Sequence, residues 1–227
     1  NYGGFWGGPG AAATTPDAAN VEAGFLDPTY RGAGPFSEPE TQNIQDLVSS
    51  RQVTMLISNH TFSNLVLRPN GVNPTTIGFD GLPVGDAPDE AALKRLGAKM
   101  TAQNGYANIH GWQLYDTTGT TEDWSYNATG GFGYTFETGA NEFHPPCPEV
   151  VSEYLGAGRY AGKGNREAYL VALEHAVDTR FHGVLKGRAP RGASLRLSKS
   201  FQSPTWESSF RDRIDTPIRI GQDGRFS

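Results

Sequence analysis

Apolar and polar residues follow two different periods along the chain, and these periods predict its helices and strands. Apolar residues three or four positions apart, as at Ile44, Leu47 and Val48, indicate helices that bury one face. Helices are predicted at about 38–50, 89–103, 149–155 and 165–178. Short apolar runs predict strands at 53–57 and 133–137, the first of them central and parallel. Helices that alternate with strands in this way indicate an α/β layer fold.

Residues at the helix ends support this assignment. Ser37 and Glu40 have the spacing of a capping box at the start of the first helix. Asp89 and Asn165 stand where the N-caps of the second and last helices are expected, and Gly105 stands where the second helix should end. The apolar stripe of the last helix is predicted to consist of Tyr169, Leu170, Leu173, Ala176 and Val177.

The pattern changes after Phe181, where short β-rich runs separated by turns replace the helices. Strands are predicted at 183–187, 194–197 and 218–220, which is typical of the opening of a small β-sandwich. We therefore expect a first domain over residues 1–181 and the start of a second over 182–227. Two shorter features lie between the second helix and strand 133–137: a strand end at 113–115 and a polar turn at 117–123.

Composition narrows the possible functions. The net charge is −5, and Lys and Arg occur singly without a basic run, so we expect no nucleic-acid partner. No apolar run approaches the ~20 residues that a membrane span needs, and we expect no membrane partner. Cys147 is the only cysteine, which excludes a disulfide within the sequence.

Three residues are candidates for chemistry. His60 follows an apolar strand, and ligand sites of open α/β sheets lie at such strand ends, where a neutral imidazole can bind a metal. Glu137 ends a second apolar strand, and Tyr115 precedes a polar turn around Gly119 that could close on a substrate. Structural roles remain open for all three: a packed histidine, a surface acid and a tyrosine beneath a hairpin.

The order of several short motifs makes the chain resemble the M14 family of zinc carboxypeptidases. The motifs are NYGGFW at 1–6, GPFSEPET at 34–41, SNHTFSNLVLRPNG at 58–71, YDTTGTTEDWSY at 115–126, GYTFETG at 133–139 and FHPP at 143–146. The resemblance covers about the second half of that family's catalytic domain and implies a mixed central sheet flanked by helices. The appended β-sandwich is similar to those of secreted bacterial members, which implies secretion.

The resemblance also implies a role for each matched residue. His60 corresponds to the third zinc ligand, and Glu137 to the general base that takes a proton from the attacking water. Tyr115 corresponds to the tyrosine that swings over the C-terminal end of the substrate. Thr61 and Phe62 correspond to residues that line the substrate groove, and Phe62 lacks the hydroxyl common at its position.

Glu122 falls where the family has the floor of its side-chain specificity pocket. An acid there favours a C-terminal Lys or Arg by charge complementarity. The sequence leaves open that Glu122 is a solvent-facing glutamate in a polar turn.

The expected function is a zinc-dependent carboxypeptidase that removes C-terminal residues from peptides and acts as a monomer. In the family, the other zinc ligands and the substrate-binding arginines precede the part that matches residue 1. We therefore expect a fragment that is inactive alone. His110, His144, His175 and His182 are expected to have surface or packing roles and not to replace those ligands. Two alternatives remain: a noncatalytic carboxypeptidase-like binding module, and a cell-wall peptide hydrolase of the same fold.

Overall fold

A computed structural model of the chain describes residues 1–8, 31–206 and 210–226. In chain order its helices and strands are α1 (Pro39–Ser49), β1 (Met55–His60), β2 (Leu65–Arg68), α2 (Glu90–Asn104), β3 (Ala107–His110), α3 (Gly111–Leu114), α4 (Thr121–Thr129), β4 (Phe132–Glu137), α5 (Cys147–Leu155), α6 (Asn165–Val177), β5 (Gly187–Arg188), β6 (Leu195–Ser203), β7 (Phe210–Ile218) and β8 (Arg225–Phe226). A 3₁₀ turn at Gly158–Tyr160 joins α5 to α6.

Strands β1 to β4 form one mixed sheet in the order β1-β4-β2-β3. β1 is parallel to β4, β2 is antiparallel to β4, and β2 is parallel to β3. The predicted α/β fold with a mixed sheet and flanking helices is confirmed. The parallel orientation of β1 is also confirmed, but its predicted central position is not, because β1 lies at one end of the sheet that the described residues form.

Two apolar clusters hold these elements together. The first joins α2 and α6 to the sheet and includes the fully buried Leu93, Met100, Tyr134 and Phe136. Leu93, Leu96 and Met100 recur at three- and four-residue spacing, which puts them on the face of α2 that meets the sheet. The second cluster is built around Trp124 of α4 and includes Phe36 and Val48.

The helix ends differ from the sequence predictions. Helix α1 starts at Pro39, which suits a first helical turn because its missing amide has no partner there. Ser37 therefore does not cap it and donates to Glu38 Oε1 instead. Asp89 precedes α2 as predicted but accepts a hydrogen bond from Tyr126 and caps no amide. Gly105 ends α2 in the left-handed conformation, as predicted.

The last helix also buries a different face from the predicted one. Asn165 is its first residue and not its cap, and its side chain is engaged by Tyr106 and Asn104. Small residues, Ala168 and Ala172, face the core four positions apart. The predicted apolar stripe is wrong in part, because Leu170, Leu173 and Val177 are exposed.

Two further predictions are corrected between α2 and β4. Residues 111–114 form the short helix α3 and not a strand end. The predicted polar turn at 117–123 contains the start of α4, because the Thr120 side chain accepts a hydrogen bond from the Asp123 amide and caps the helix. This places Glu122 in a helical first turn.

The tail forms two separate antiparallel pairs. β6 and β7 pair along their whole length, from Leu195 with Ile218 to Ser203 with Phe210, and β5 pairs with β8. The hairpin of β6 and β7 is longer than predicted, and most of β7 was not predicted at all. Among the described residues, no helix is long and apolar enough to cross a membrane.

Candidate active site

His60 and Glu137 end two neighbouring strands. Because β1 and β4 are parallel and in register, these two residues are direct partners across the pair. Nδ1 of His60 lies 3.8 Å from Oε1 of Glu137. The fold thus brings together an imidazole and a carboxylate that are 77 positions apart in sequence, at the sheet edge where α/β folds place ligand sites.

The two side chains differ in exposure. The side chain of His60 is 56% exposed, whereas that of Glu137 is 7% exposed. Burial raises the pKa of Glu137, the nearby His60 partly opposes this increase, and the negative charge of Glu122 adds to it. A carboxylate with a raised pKa binds a proton more readily, which suits a general base that later returns the proton.

Four of the predicted residues line one cavity of about 390 Å³: His60, Glu137, Tyr115 and Glu122. Tyr115 follows α3 and is 44% exposed at the cavity wall. Its pKa is raised by burial and then by the charges of Glu137 and Glu122. The phenol therefore stays protonated at neutral pH and can donate a hydrogen bond to an anionic group in the cavity.

Thr61 and Phe62 lie just beyond the end of β1 and are not among the residues that line this cavity. The Thr61 hydroxyl donates to the Phe143 carbonyl at 3.3 Å. The rings of Phe62 and Phe143 pack edge to face with centroids 4.9 Å apart. Both residues thus contact the loop that follows β4.

Glu122 is only 4% exposed, which is inconsistent with the solvent-facing alternative. Its Oε2 accepts a hydrogen bond of 2.9 Å from the Thr135 hydroxyl of β4. Both residues line the cavity, so the carboxylate is held on the cavity wall by the sheet beneath it.

Sequence reasoning did not identify Asp123 or Thr135. Asp123 is completely buried, and its two carboxylate oxygens accept from the Gly71 amide at 3.1 and 2.9 Å. Burial and then the charge of Glu122 raise the pKa of Asp123. The one available signal was a polar residue, Thr135, inside an otherwise apolar strand, since such a residue must find a polar partner.

A larger cavity of about 860 Å³ lies between the tail and the end of α6, and none of the predicted site residues line it. None of the other four histidines lines the cavity of about 390 Å³. His110 contacts the Pro69 carbonyl at 3.1 Å and Glu90 Oε1 at 3.2 Å. The ring of His175 stacks between those of Phe132 and Phe181.

Comparison with known proteins identifies the family. The sequence model described as "Peptidase_M14: Zinc carboxypeptidase" matches residues 22–154, which is more than half of the chain and includes His60, Tyr115, Glu122 and Glu137. The chain belongs to the M14 zinc carboxypeptidase family. The sequence resemblance to this family is thereby confirmed at the level of family membership.

Individual relatives support this assignment over part of their length. Carboxypeptidase A1 of Rattus norvegicus is 32% identical over 136 residues, which cover 54% of this chain and 30% of that protein. Carboxypeptidase O of Homo sapiens is 30% identical over 57% of this chain and 37% of its own length. A zinc carboxypeptidase of Saccharothrix mutabilis subsp. capreolus is 33% identical over 44% of this chain and 22% of its own. The chain thus spans about a third or less of these curated relatives.

A solved structure shows the same fold. The crystal structure of carboxypeptidase A from Helicoverpa armigera superposes with a TM-score of 0.55 at 19% identity. The match covers 77% of this chain and 40% of that one. At this identity the match supports the carboxypeptidase fold and does not assign any residue.

The site fits one part of a zinc centre. The exposed imidazole of His60 is a suitable zinc ligand, and the buried carboxylate of Glu137 lies beside it. Within the part of the chain that the structure describes, no group of three or more His, Cys, Asp or Glu residues could hold a metal ion. Among the described residues, the site therefore offers the imidazole of His60 as a zinc ligand but not a complete zinc site.

Proposed function

We propose that the chain contributes one zinc ligand, the general base and the substrate pocket of an M14 carboxypeptidase that removes C-terminal residues from peptides. The observation that carries this proposal is the pairing of His60 and Glu137 at the mouth of a cavity that Tyr115 and Glu122 also line. Because three protein ligands are usual at a catalytic zinc, we further propose that the 227 residues are part of a longer enzyme and are inactive alone.

Each residue then has a defined task. Zinc held by His60 and by ligands from elsewhere would polarise the scissile carbonyl and lower the pKa of water. The carboxylate of Glu137 takes a proton from the attacking water and passes it to the leaving amine, and its raised pKa favours that transfer. The protonated phenol of Tyr115 donates to the terminal carboxylate of the substrate.

Glu122 is proposed to select basic C-terminal residues. Its buried carboxylate accepts one hydrogen bond from Thr135 and lines the cavity near the proposed base. A Lys or Arg side chain entering the cavity would offset this negative charge, whereas an apolar side chain would leave it desolvated and unpaired.

The catalytic proposal is tested by hydrolysis of a peptide with a free C-terminus and of the same peptide with an amidated one, using the full-length enzyme. We expect cleavage of the free peptide only. Glu137→Gln should reduce kcat by ~10²–10⁴-fold. Glu142→Gln is the matched control because Glu142 is an exposed acid five positions away. Equal cleavage of both peptides, or full activity of Glu137→Gln, would exclude this function.

The specificity proposal is tested by the ratio of kcat/KM for peptides ending in Arg and in Phe. The wild-type enzyme should prefer Arg, and Glu122→Gln should lower the ratio by roughly 10- to 100-fold, as expected for loss of a charged hydrogen bond of about 1.5–3 kcal/mol. A wild-type preference for Phe would contradict the assignment of Glu122.

We propose that residues 1–181 are the C-terminal part of the catalytic domain and that residues 182–227 begin a β-sandwich accessory domain. Secretion, the bacterial type and a monomeric state rest on the family resemblance. Peptide binding without turnover would favour the noncatalytic module, and cleavage only of cell-wall peptides would favour the hydrolase alternative.

A further inference from the structure

The first turn of α4 is held from three sides. Its consecutive residues Glu122, Asp123 and Trp124 are all buried, although residues adjacent in a helix point about 100° apart. Each meets a different part of the fold: Glu122 meets Thr135 of the sheet, and Asp123 meets the Gly71 amide in the loop after β2. The third contact, made by Trp124, comes from the tail.

That contact is a hydrogen bond between two buried side chains. Nε1 of Trp124 donates to Oδ2 of Asp212 at 2.6 Å. Asp212 lies in β7, 88 positions further along the chain, and is 2% exposed. Its other oxygen accepts from Gln45 Nε2 of α1 at 3.1 Å and from the Arg213 amide at 2.7 Å. The carboxylate therefore ties together α1, α4 and the tail hairpin.

Apolar packing reinforces the same junction. Phe201, Phe210 and Ile214 of the hairpin pack against the cluster around Trp124. On another side, the ring of Tyr2 stacks on Trp124 with centroids 5.9 Å apart, and Tyr2 itself lines the cavity. Trp124 thus connects the tail to the proposed substrate cavity both through the helix turn and through Tyr2.

We propose that Asp212 is a positioning residue for substrate specificity: through Trp124 it fixes the helix turn that presents Glu122 to the cavity. The proposal rests on the role proposed above for Glu122. Without Asp212 the buried indole N–H loses its acceptor, and a buried unpaired donor drives local rearrangement. The turn would then keep the side-chain hydrogen bonds of Glu122 and Asp123 but lose that of Trp124. A displacement of about 1 Å is enough to alter recognition at a binding site.

The test measures the Arg-to-Phe ratio of kcat/KM in the full-length enzyme with variants at Asp212. Asp212→Leu keeps the branching of the side chain and removes both acceptors, and it should lower the ratio about 10-fold while cleavage of the Phe peptide changes less than about 3-fold. Asp212→Asn keeps one oxygen that can accept from Trp124, so its ratio should stay close to the wild-type value. Amide exchange at Gly71 and Trp124 should be faster in Asp212→Leu than in Asp212→Asn.

Thr216→Val is the matched control in the same strand. The Thr216 hydroxyl donates to the carbonyls of Ser49 and Arg51 at 3.0 and 3.2 Å, so this variant loosens the hairpin without touching α4. We expect its ratio to stay at the wild-type value. An equal loss in Thr216→Val and Asp212→Leu would overturn the proposal, because the effect would then be general loosening of the tail.

Two further outcomes are decisive. If Glu122→Gln leaves the ratio unchanged, the specificity role of Glu122 fails and the positioning role falls with it. If Glu122→Gln lowers the ratio but Asp212→Leu does not, only the positioning role is overturned. Should Asp212→Leu fail to fold, Trp124→Phe removes the same hydrogen bond from the other side, and an unchanged ratio in that variant overturns the proposal.

Discussion

Glu137 and Glu122 are two buried carboxylates that face one cavity but have different surroundings. Glu137 lies beside the imidazole of His60 at the open strand end, whereas Glu122 accepts from the hydroxyl of Thr135. Burial raises the pKa of Glu137, and the charge of Glu122 adds to that increase. We propose a division of labour in which Glu137 handles protons and Glu122 supplies the charge for recognition.

Zinc affinity tests the role proposed for His60. In the full-length enzyme, His60→Ala should weaken zinc binding by at least ~10-fold, because a catalytic zinc has only three protein ligands. Calorimetric titration after chelation measures the affinity. His144→Ala is the control, since His144 is exposed and lies outside the cavity. Equal affinities of wild type and His60→Ala would show that His60 is not a ligand.

The sequence pointed to His60, Glu137 and Tyr115 because each lies at the end of a predicted element or beside a predicted turn, and because their order resembles that of the M14 family. It could not point to Asp123, whose partner is the backbone amide of Gly71, 52 positions away. The sequence left open whether Glu122 is buried in a pocket or faces solvent, because a polar turn is predicted for its segment. Whether a polar side chain in a helix is buried depends on which elements pack against that helix, and a sequence pattern does not give this packing.

Among the helices, α2 shows how a single glycine sets a packing distance. Gly97 faces the sheet, and a Cβ placed there would lie 2.5 Å from Oδ1 of Asn108 in β3. Asn108 cannot easily move, because its side chain accepts from Arg68 and donates to the Lys94 carbonyl. The close approach of helix and strand therefore requires glycine at this position, in spite of its low helix propensity.

Gly97→Ala should consequently destabilise the fold. Helix propensity favours Ala by about 1 kcal/mol, but overpacking at a buried contact costs about 1–3 kcal/mol. Urea unfolding followed by circular dichroism measures the difference. Ala102→Gly, on the exposed face of the same helix, should show only the propensity loss of ~1 kcal/mol. A stabilised Gly97→Ala variant would mean that the helix and strand separate freely.

His175, near the C-terminal end of α6, makes the stability of the fold depend on pH. Burial of His175 between the rings of Phe132 and Phe181 lowers its pKa. Lys99 lowers it further, and Asp178 opposes the change. The folded state therefore binds this proton less tightly than the unfolded state. Neutral His175 therefore leaves the free energy of unfolding at its full value above the unfolded pKa of about 6.5. This free energy declines as the pH falls below that value, because the unfolded state takes up the proton first.

His175→Phe keeps an aromatic ring in the stack and removes the titration. We expect the wild-type chain to lose stability between pH 7.5 and 5, and the variant to lose less. Urea midpoints at the two pH values give the comparison. His182→Gln serves as a control from the neighbouring histidine, whose charge also lowers the pKa of His175 to a lesser degree. The same pH dependence in wild type and His175→Phe would contradict this account.

Elements with a clear hydrophobic period were predicted well from sequence, and the others were not. Helix α2 and strand β4 were found almost to their ends, because their apolar residues face a single core. Most of strand β7 was missed because three consecutive charged residues, Arg211, Asp212 and Arg213, interrupt its apolar positions, and one of these, Asp212, points inward. The apolar residues predicted as the stripe of α6 are largely exposed, because the face that meets the core consists of small residues.

The hairpin of β6 and β7 and the α/β layer share one core. Phe201, Phe210 and Ile214 of the hairpin pack against the cluster around Trp124, and Asp212 accepts the hydrogen bond of that tryptophan. The pair of β5 and β8 is short and lies outside this cluster. The two proposed domains are therefore coupled through β6 and β7.

The last prediction follows from this shared core. Phe210→Ala should lower the free energy of unfolding of the whole chain by about 2–4 kcal/mol for a partly buried ring, in a single transition. Far-ultraviolet circular dichroism reports the helices of the layer. Tryptophan fluorescence reports the surroundings of the four tryptophans, including Trp124 at the junction, and the two curves should coincide. Phe226→Ala in β8 is the matched control, because its ring packs over Gly187 outside the cluster, and its effect should be smaller. If Phe210→Ala instead gave two separate transitions, with the helices unaffected by the first, the hairpin would be an independent unit. This result would contradict the positioning role of Asp212, because a hairpin that unfolds alone cannot hold the turn that carries Glu122.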